Sequence, residues 1–144
     1  MRAHFLQGHS WARGGPQPPP STHLKTLDDG SVARDASGNA ISIDASGQPV
    51  PRLPFVELGE AHFITGFVGS YENAKKIAEL GFGGHAAYLH AFGEKLADYL
   101  NAGYILKEDA DAMSRRAALC SPLTFTEMYR DRYAEFAAIR PCPI

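Results

Sequence analysis

Ser10 lies in Gly8-His9-Ser10-Trp11-Ala12, a serine between small residues after Phe5-Leu6, which is the outline of a hydrolase nucleophile elbow. An elbow needs a buried strand before the serine and a helix directly after it, because that sharp turn exposes the hydroxyl and supplies the oxyanion N–H. Here the preceding apolar run is two residues long, Ala12 stands where the motif has its last glycine, and Arg13-Gly14-Gly15-Pro16 cannot continue a long helix. Ser10 therefore reads as the end of a short helix covering residues 1–13 rather than as a nucleophile. The histidines, at 4, 9, 23, 62, 85 and 90, include no His-x-x-x-His or His-Glu-x-x-His spacing. His85 and His90 are five residues apart, which sets them about 140° apart around a helix, so one ion cannot reach both without outside ligands. Asp109 and Asp111 suggest an acid–base pair, but two residues apart on a helix they face different directions and read as helix-start electrostatics.

The units Asp35-Ala36-Ser37-Gly38 and Asp44-Ala45-Ser46-Gly47 lie nine residues apart. A calcium-loop register from Asp35 would place Ala40 where glycine is needed and Ser46 where the bidentate glutamate is needed, so successive turns are the better reading. The stretch Phe63–Tyr71, with Gly66 and Gly69, lacks the Lys-Ser/Thr ending of a phosphate loop. Gly83-Gly84-His85 could present a helix N-terminus to an anion, though a plain turn accounts for it. Cys120 and Cys142 flank a predicted helix and could bridge, which spacing alone leaves open. The residues thus give no catalytic, cofactor-binding or metal-ligating set, and no cofactor is expected.

The elements that would position any chemistry fall into two regimes. Gly14-Gly15-Pro16-Gln17-Pro18-Pro19-Pro20 must be extended, because proline fixes φ and removes a donor. Leu27-Asp28-Asp29-Gly30 and the two Asp-Ala-Ser-Gly units are turn signatures between short β-branched pieces. Residues 14–60 are thus read as extended and turn-rich, with few large apolar side chains and little to pack against. Residues 61–84 read as a loop with a possible short helix at 73–80.

From His85 the spacing becomes helical: Leu89, Phe92, Leu96, Tyr99 and Leu100 mark a helix at 85–101, with Gly103 closing it at positive φ. A second helix follows, with Glu108, Asp109 and Asp111 early and Arg115 and Arg116 late, as the macrodipole favours, and with Asp111 and Arg115 as an i,i+4 pair. Leu106, Ala110, Met113 and Ala117 form its apolar stripe. The two helices should pack as a hairpin, with Leu96 and Tyr99 meeting Met113 and Ala117. A third helix is predicted over 124–138, capped by Thr124 and Glu127 and ended by Pro141.

Composition limits the function classes. The chain has 144 residues, 44% hydrophobic and 21% charged, enough for one globular core. Lys and Arg total 14 against 16 Asp and Glu, a net charge of −2, which gives no nucleic-acid tract and no polybasic membrane patch. No apolar run approaches the ~20 residues of a spanning helix, and the first residues open no signal-like segment. Neither nucleic acid nor membrane is expected as a partner, and the compartment is left open. Two cysteines are too few for a disulfide framework.

The order of the pieces resembles a known family. Trp11-Ala12-Arg13-Gly14-Gly15, Pro18-Pro19-Pro20-Ser21, Leu27-Asp28-Asp29-Gly30 and Arg34-Asp35-Ala36-Ser37-Gly38-Asn39-Ala40 are similar, in that order, to the C-terminal stretch of large bacterial and fungal α/β-hydrolase-domain proteins. Arg52-Leu53-Pro54 resembles that family's Arg-x-Pro segment. His85-Ala86-Ala87-Tyr88, Ala102-Gly103-Tyr104-Ile105-Leu106 and Glu108-Asp109-Ala110 continue the likeness to about residue 117. The chain departs from the pattern in two places. A second Asp-Ala-Ser-Gly unit stands where the family has a Gly-Gly-Ile/Val-Arg turn, and Lys107 replaces a proline.

The resemblance implies an α/β-hydrolase-type fold, of which this chain would be a C-terminal fragment and a single partial domain over 1–144. It implies an ester-hydrolase-like protein whose nucleophile and catalytic histidine lie upstream, so that no catalytic residue transfers to a position here. The missing N-terminal part of that domain would then be its partner. The rival expectation is a non-catalytic helical interaction module using the exposed faces of helices 85–101 and 124–138.

Overall fold

The computed structural model describes residues 2–64 and 70–118. Its elements run α1 (Arg2–Trp11), β1 (His23–Leu24), β2 (Ser42–Ile43), α2 (Pro54–Glu57), β3 (His62–Ile64), β4 (Ser70–Glu72), α3 (His85–Asn101) and α4 (Lys107–Ala118). Cys120, Cys142, the 124–138 helix and the Gly66 and Gly69 positions lie outside the described residues.

The core sits on α3. Tyr88, Phe92 and Leu96 repeat every four residues, so they stack along one face of the helix, and all three are buried. Ala110 and Ala117 of α4 close over them, and Phe55, Leu58, Ile77, Leu80, Phe82 and Met113 pack around the edge. Phe82 meets Tyr88 edge-on at 5.9 Å, and Tyr88 lies 5.9 Å from Phe92. Small alanines on α4 let it approach the large side chains of α3, which is how two short helices make a dry seam.

Gly103 has φ of +77°, and the chain there accepts two closing bonds: Gly103 N–H to Leu100 O and Tyr104 N–H to Tyr99 O. This is a Schellman closure, and the apolar contact that accompanies it is Tyr99 against Tyr104 at 5.4 Å. Tyr99 is thus drawn to the end of α3, away from the expected contact with Met113 and Ala117. A second difference is electrostatic. Asp111 is paired with Lys107 at 2.7 Å, one turn back, rather than with Arg115.

The front half is an array of three turns. The first is Leu27-Asp28-Asp29-Gly30, where Asp29 Oδ1 accepts the Ser31 N–H, and in the two Asp-Ala-Ser-Gly units the aspartate Oδ1 accepts two N–H groups: Ser37 and Asn39 at Asp35, Ser46 and Gln48 at Asp44. Between the turns, Ala33 N–H bonds to Lys25 O, Ile41 N–H to Ala33 O and Lys25 N–H to Ile41 O, a closed triangle of backbone bonds. β1 pairs antiparallel with β2, His23 opposite Ile43. The expectation that 14–60 has little to pack against meets a different solution: polar and backbone bonds hold it where apolar burial is scarce.

Residues 61–84 also differ from the expected loop. β3 and β4 pair antiparallel with Phe63 opposite Tyr71, and α2 precedes them as a single turn opened by Pro54. The short helix expected at 73–80 is reduced to one turn. Asn73 takes a φ of +53°, which no helix interior accommodates, and Phe82 N–H bonds back to Ile77 O to end the turn.

Candidate functional site

The densest polar convergence joins the Asp35 turn to the elements around residue 60. Arg52 is its centre. Its Nη1 donates to Asp35 Oδ2 at 2.9 Å and to the Ala40 carbonyl at 2.8 Å, and its Nε donates to Glu57 Oε1 at 3.1 Å. Partial burial works against the charge on Arg52, but hydrogen bonds and attraction from Glu57 and Asp35 outweigh it and raise its pKa above the ordinary arginine value. With its donors committed to this chain's own oxygens, Arg52 is a clamp between the turn array and α2.

Asn39, itself buried, is the second tie. Its Nδ2 donates to Ala61 O at 2.8 Å, and its Oδ1 accepts the Phe63 N–H at 2.8 Å, fixing the array to the start of β3. Lys75 Nζ donates to Ser37 Oγ at 3.0 Å from the other side. Beneath lies Glu60, fully buried, whose Oε1 accepts the Tyr88 hydroxyl at 2.7 Å, so the polar junction is continuous with the α3 core. A cavity of about 320 Å³ opens beside Arg52, walled by His4, Leu24, Leu53, Phe63, Tyr99 and Tyr104. Burial raises the pKa of the Tyr99 hydroxyl, and the charge that Tyr104 would carry adds to the shift, so this wall is a neutral phenol at ordinary pH.

The sequence-selected residues are dispersed. Ser10 sits in the last turn of α1, where its carbonyl accepts both Arg13 N–H and Gly15 N–H, the latter through a turn at Gly14 with φ of +86°. Helix–serine–turn is the reverse of the strand–serine–helix order that an elbow requires. His62 pairs with Glu72 at 2.8 Å, His90 approaches Glu94 at 3.7 Å, His85 stacks on Tyr88, and His4, His9 and His23 are exposed. Among the described residues no three His, Cys, Asp or Glu side chains gather as a metal ion would require. Gly84 caps α3 without a side-chain hydrogen bond, and Asp109 and Asp111 stand apart on α4.

Sequence reasoning did not pick out Asn39, Glu60 or Arg52 for a role. For Asn39 and Arg52 the available signal was the resemblance, which had grouped Arg34–Ala40 with Arg52-Leu53-Pro54, two segments that the structure brings into contact. Glu60 carried none, since a glutamate beside a glycine usually signals only solvent.

No curated protein and no solved structure shows a significant match to the chain. No described helix is long and apolar enough to cross a membrane. The family described as "Alpha/beta hydrolase domain" matches residues 1–115, taking in α1, the turn array, the Arg52 junction, α3 and nearly all of α4. A match over that much of the 144 residues settles the kinship, and the chain belongs to this alpha/beta-hydrolase-domain family.

Proposed function

We propose that this chain is the C-terminal part of an ester-hydrolase-like member of the family, and that it serves as a structural buttress whose nucleophile and catalytic histidine are supplied by sequence upstream. The observation that carries the reading is the context of Ser10 within the matched region. A serine whose carbonyl closes a helix end is not presented by a strand, and no oxyanion donor follows it on a helix N-terminus. The polar side chains that do converge are engaged with one another: Arg52 with Asp35 and Glu57, Asn39 with β3. Such an arrangement fixes geometry and leaves acyl transfer to other residues. The rival helical interaction module gains nothing from α3, whose outward side carries His90 beside Glu94 and Lys95 beside Asp98, an ordinary solvated face.

The test is a direct assay. Purified chain and its Ser10→Ala variant should hydrolyse short acyl esters at the same background rate, and a serine-directed fluorophosphonate should leave Ser10 unlabelled. A parent rate about tenfold above the variant's, with Ser10 acylated in the mass spectrum, would overturn the proposal. Reading the gene upstream for an in-frame Gly-x-Ser-x-Gly followed by a histidine tests the other half.

A further inference from the structure

The cavity of about 320 Å³ beside Arg52 is walled by described residues alone, drawn from α1, the turn array, α2, β3 and the end of α3. Its volume is about twice that of the ~150 Å³ apolar cavity known to take benzene, which leaves room for one aromatic ring and a substituent of a few atoms. Most of the wall is apolar. Leu24, Leu53 and Val56 supply aliphatic surface, and two aromatic pairs border it: Phe63 with Phe55 at 5.0 Å, and Tyr99 with Tyr104 at 5.4 Å.

The polar part of the wall divides into groups that are engaged and groups that are not. Arg52 Nη1 donates to Asp35 and to the Ala40 carbonyl, its Nε and Nη2 donate to Glu57, and Asn39 holds Ala61 and Phe63. Arg52 is the only permanently charged side chain on the wall, and two carboxylates already oppose its charge. An anion would find no unopposed positive charge there, and a cation would find no carboxylate on the wall. By contrast, the hydroxyls of Tyr99 and Tyr104 have no hydrogen-bond partner among the described residues, and neither do those of Thr22 and Ser42. Burial keeps the Tyr99 phenol neutral, so it offers an O–H donor.

From these observations we infer that the cavity is a binding site for a small neutral aromatic ligand carrying a carbonyl oxygen. Its ring seats against Phe63 and the aliphatic wall, and its oxygen accepts a hydrogen bond from the Tyr99 or Tyr104 hydroxyl. The site is built from this chain's own residues and stands independently of the function proposed above. Water is a poor occupant of a mostly apolar space, since each molecule needs two to four polar partners. A polyol of the same size fits less well, because most of its hydroxyls would face Leu24, Leu53, Val56 and Phe63 and leave water without a new partner. An aromatic ring gains from the same surface.

The test is amide NMR of the whole chain titrated with four probes. Methyl benzoate should shift the Ala40, Phe63 and Tyr104 amides saturably, with a Kd of about 1 mM or tighter. Benzoate, the same ring with a charge, and methyl glucoside, a neutral polyol, should bind at least about tenfold more weakly. Toluene, the ring without the oxygen, should shift the same amides with about tenfold lower affinity than methyl benzoate. Tyr99→Phe combined with Tyr104→Phe keeps both rings and removes two hydroxyls that hold no partner, so the α3 core amides should stay where they are. That variant should bind methyl benzoate no better than toluene, and toluene as the parent does. No saturable shift with methyl benzoate, or shifts confined to residues away from the cavity, would overturn the inference. So would benzoate, methyl glucoside or toluene binding the parent as tightly as methyl benzoate, or the double variant keeping the parent's affinity.

Discussion

The turn array at 23–50 and the helical seam of α3 with α4 hold their shapes by different physics. In the array the side chains that are buried are small or polar, Ala33 and Asn39, and the geometry comes from aspartates accepting local N–H groups and from backbone bonds between turns. In the seam, Tyr88, Phe92 and Leu96 are withdrawn from water. A net hydrogen bond contributes about 1 kcal/mol, whereas burying one large apolar side chain contributes about 1.5–3 kcal/mol. The array therefore depends on many small, directional, mutually dependent terms and the seam on a few large ones. Each region should fail in its own way.

The sharpest contrast is expected at Phe92. Phe92→Ala should destabilise the protein by about 3–5 kcal/mol, while Ile43→Ala in the half-buried array should cost only about 1 kcal/mol. Urea melts followed by far-ultraviolet circular dichroism measure both, and equal losses would erase the distinction. Next comes Asn39, the place where the array borrows an anchor. Asn39→Ala strands the Phe63 N–H and the Ala61 carbonyl and should cost about 2–3 kcal/mol, read as faster amide exchange at Phe63 with α3 unaffected.

A smaller difference separates two glycines of similar backbone. Gly103 and Gly47 have φ of +77° and +83°, but a Cβ on Gly103 would meet Pro19 Cγ at 2.7 Å, whereas one on Gly47 meets nothing within 4 Å. Gly47→Ala should cost about 1 kcal/mol for the conformation alone, and Gly103→Ala measurably more. Matched melting temperatures would show that the Pro19 contact yields freely.

The smallest effect concerns acid. The Ser46 hydroxyl, and then the Gln48 amide, hold the Asp44 carboxyl below its ordinary 3.8, and Ser31 does the same for Asp29. A carboxyl whose folded pKa is depressed gives its full stabilisation above the unfolded value and loses it as pH falls through the folded one. Acidification below 3.8 should thus loosen these turns while the seam stays closed. Amide exchange at Ser46 and Gln48 would report it, and Asp44→Asn should remove the pH response at that turn.

What could be read from the sequence follows the same division. The apolar spacing from Leu89 to Leu100 marks α3 because a dry seam imposes its period on the chain, and Gly103 is legible because a reversal there needs positive φ. The turns of the array are legible because their bonds are local. Non-local ties leave no periodic trace. Asn39 reaches residues 61 and 63, Arg52 reaches Asp35, and the three-residue strands β3 and β4 are too short to display alternation. The spacing of Tyr99 suits the seam equally well, and the Schellman contact with Tyr104 decides between the two places.

The triangle joining Lys25, Ala33 and Ile41 has a consequence for how such a chain can change over generations. Its last corner is in place by residue 41, before the second Asp-Ala-Ser-Gly unit begins. That unit closes on its own bonds, Gly47 N–H to Asp44 O and Val50 N–H to Ser42 O, and returns the chain to Arg52. Such a self-contained excursion can be gained, lost or exchanged at little entropic penalty, because lengthening a loop whose ends are already fixed costs only about 0.6 kcal/mol per doubling. The array is modular at this point, and a change in the length of this excursion is the kind of novelty its architecture can absorb.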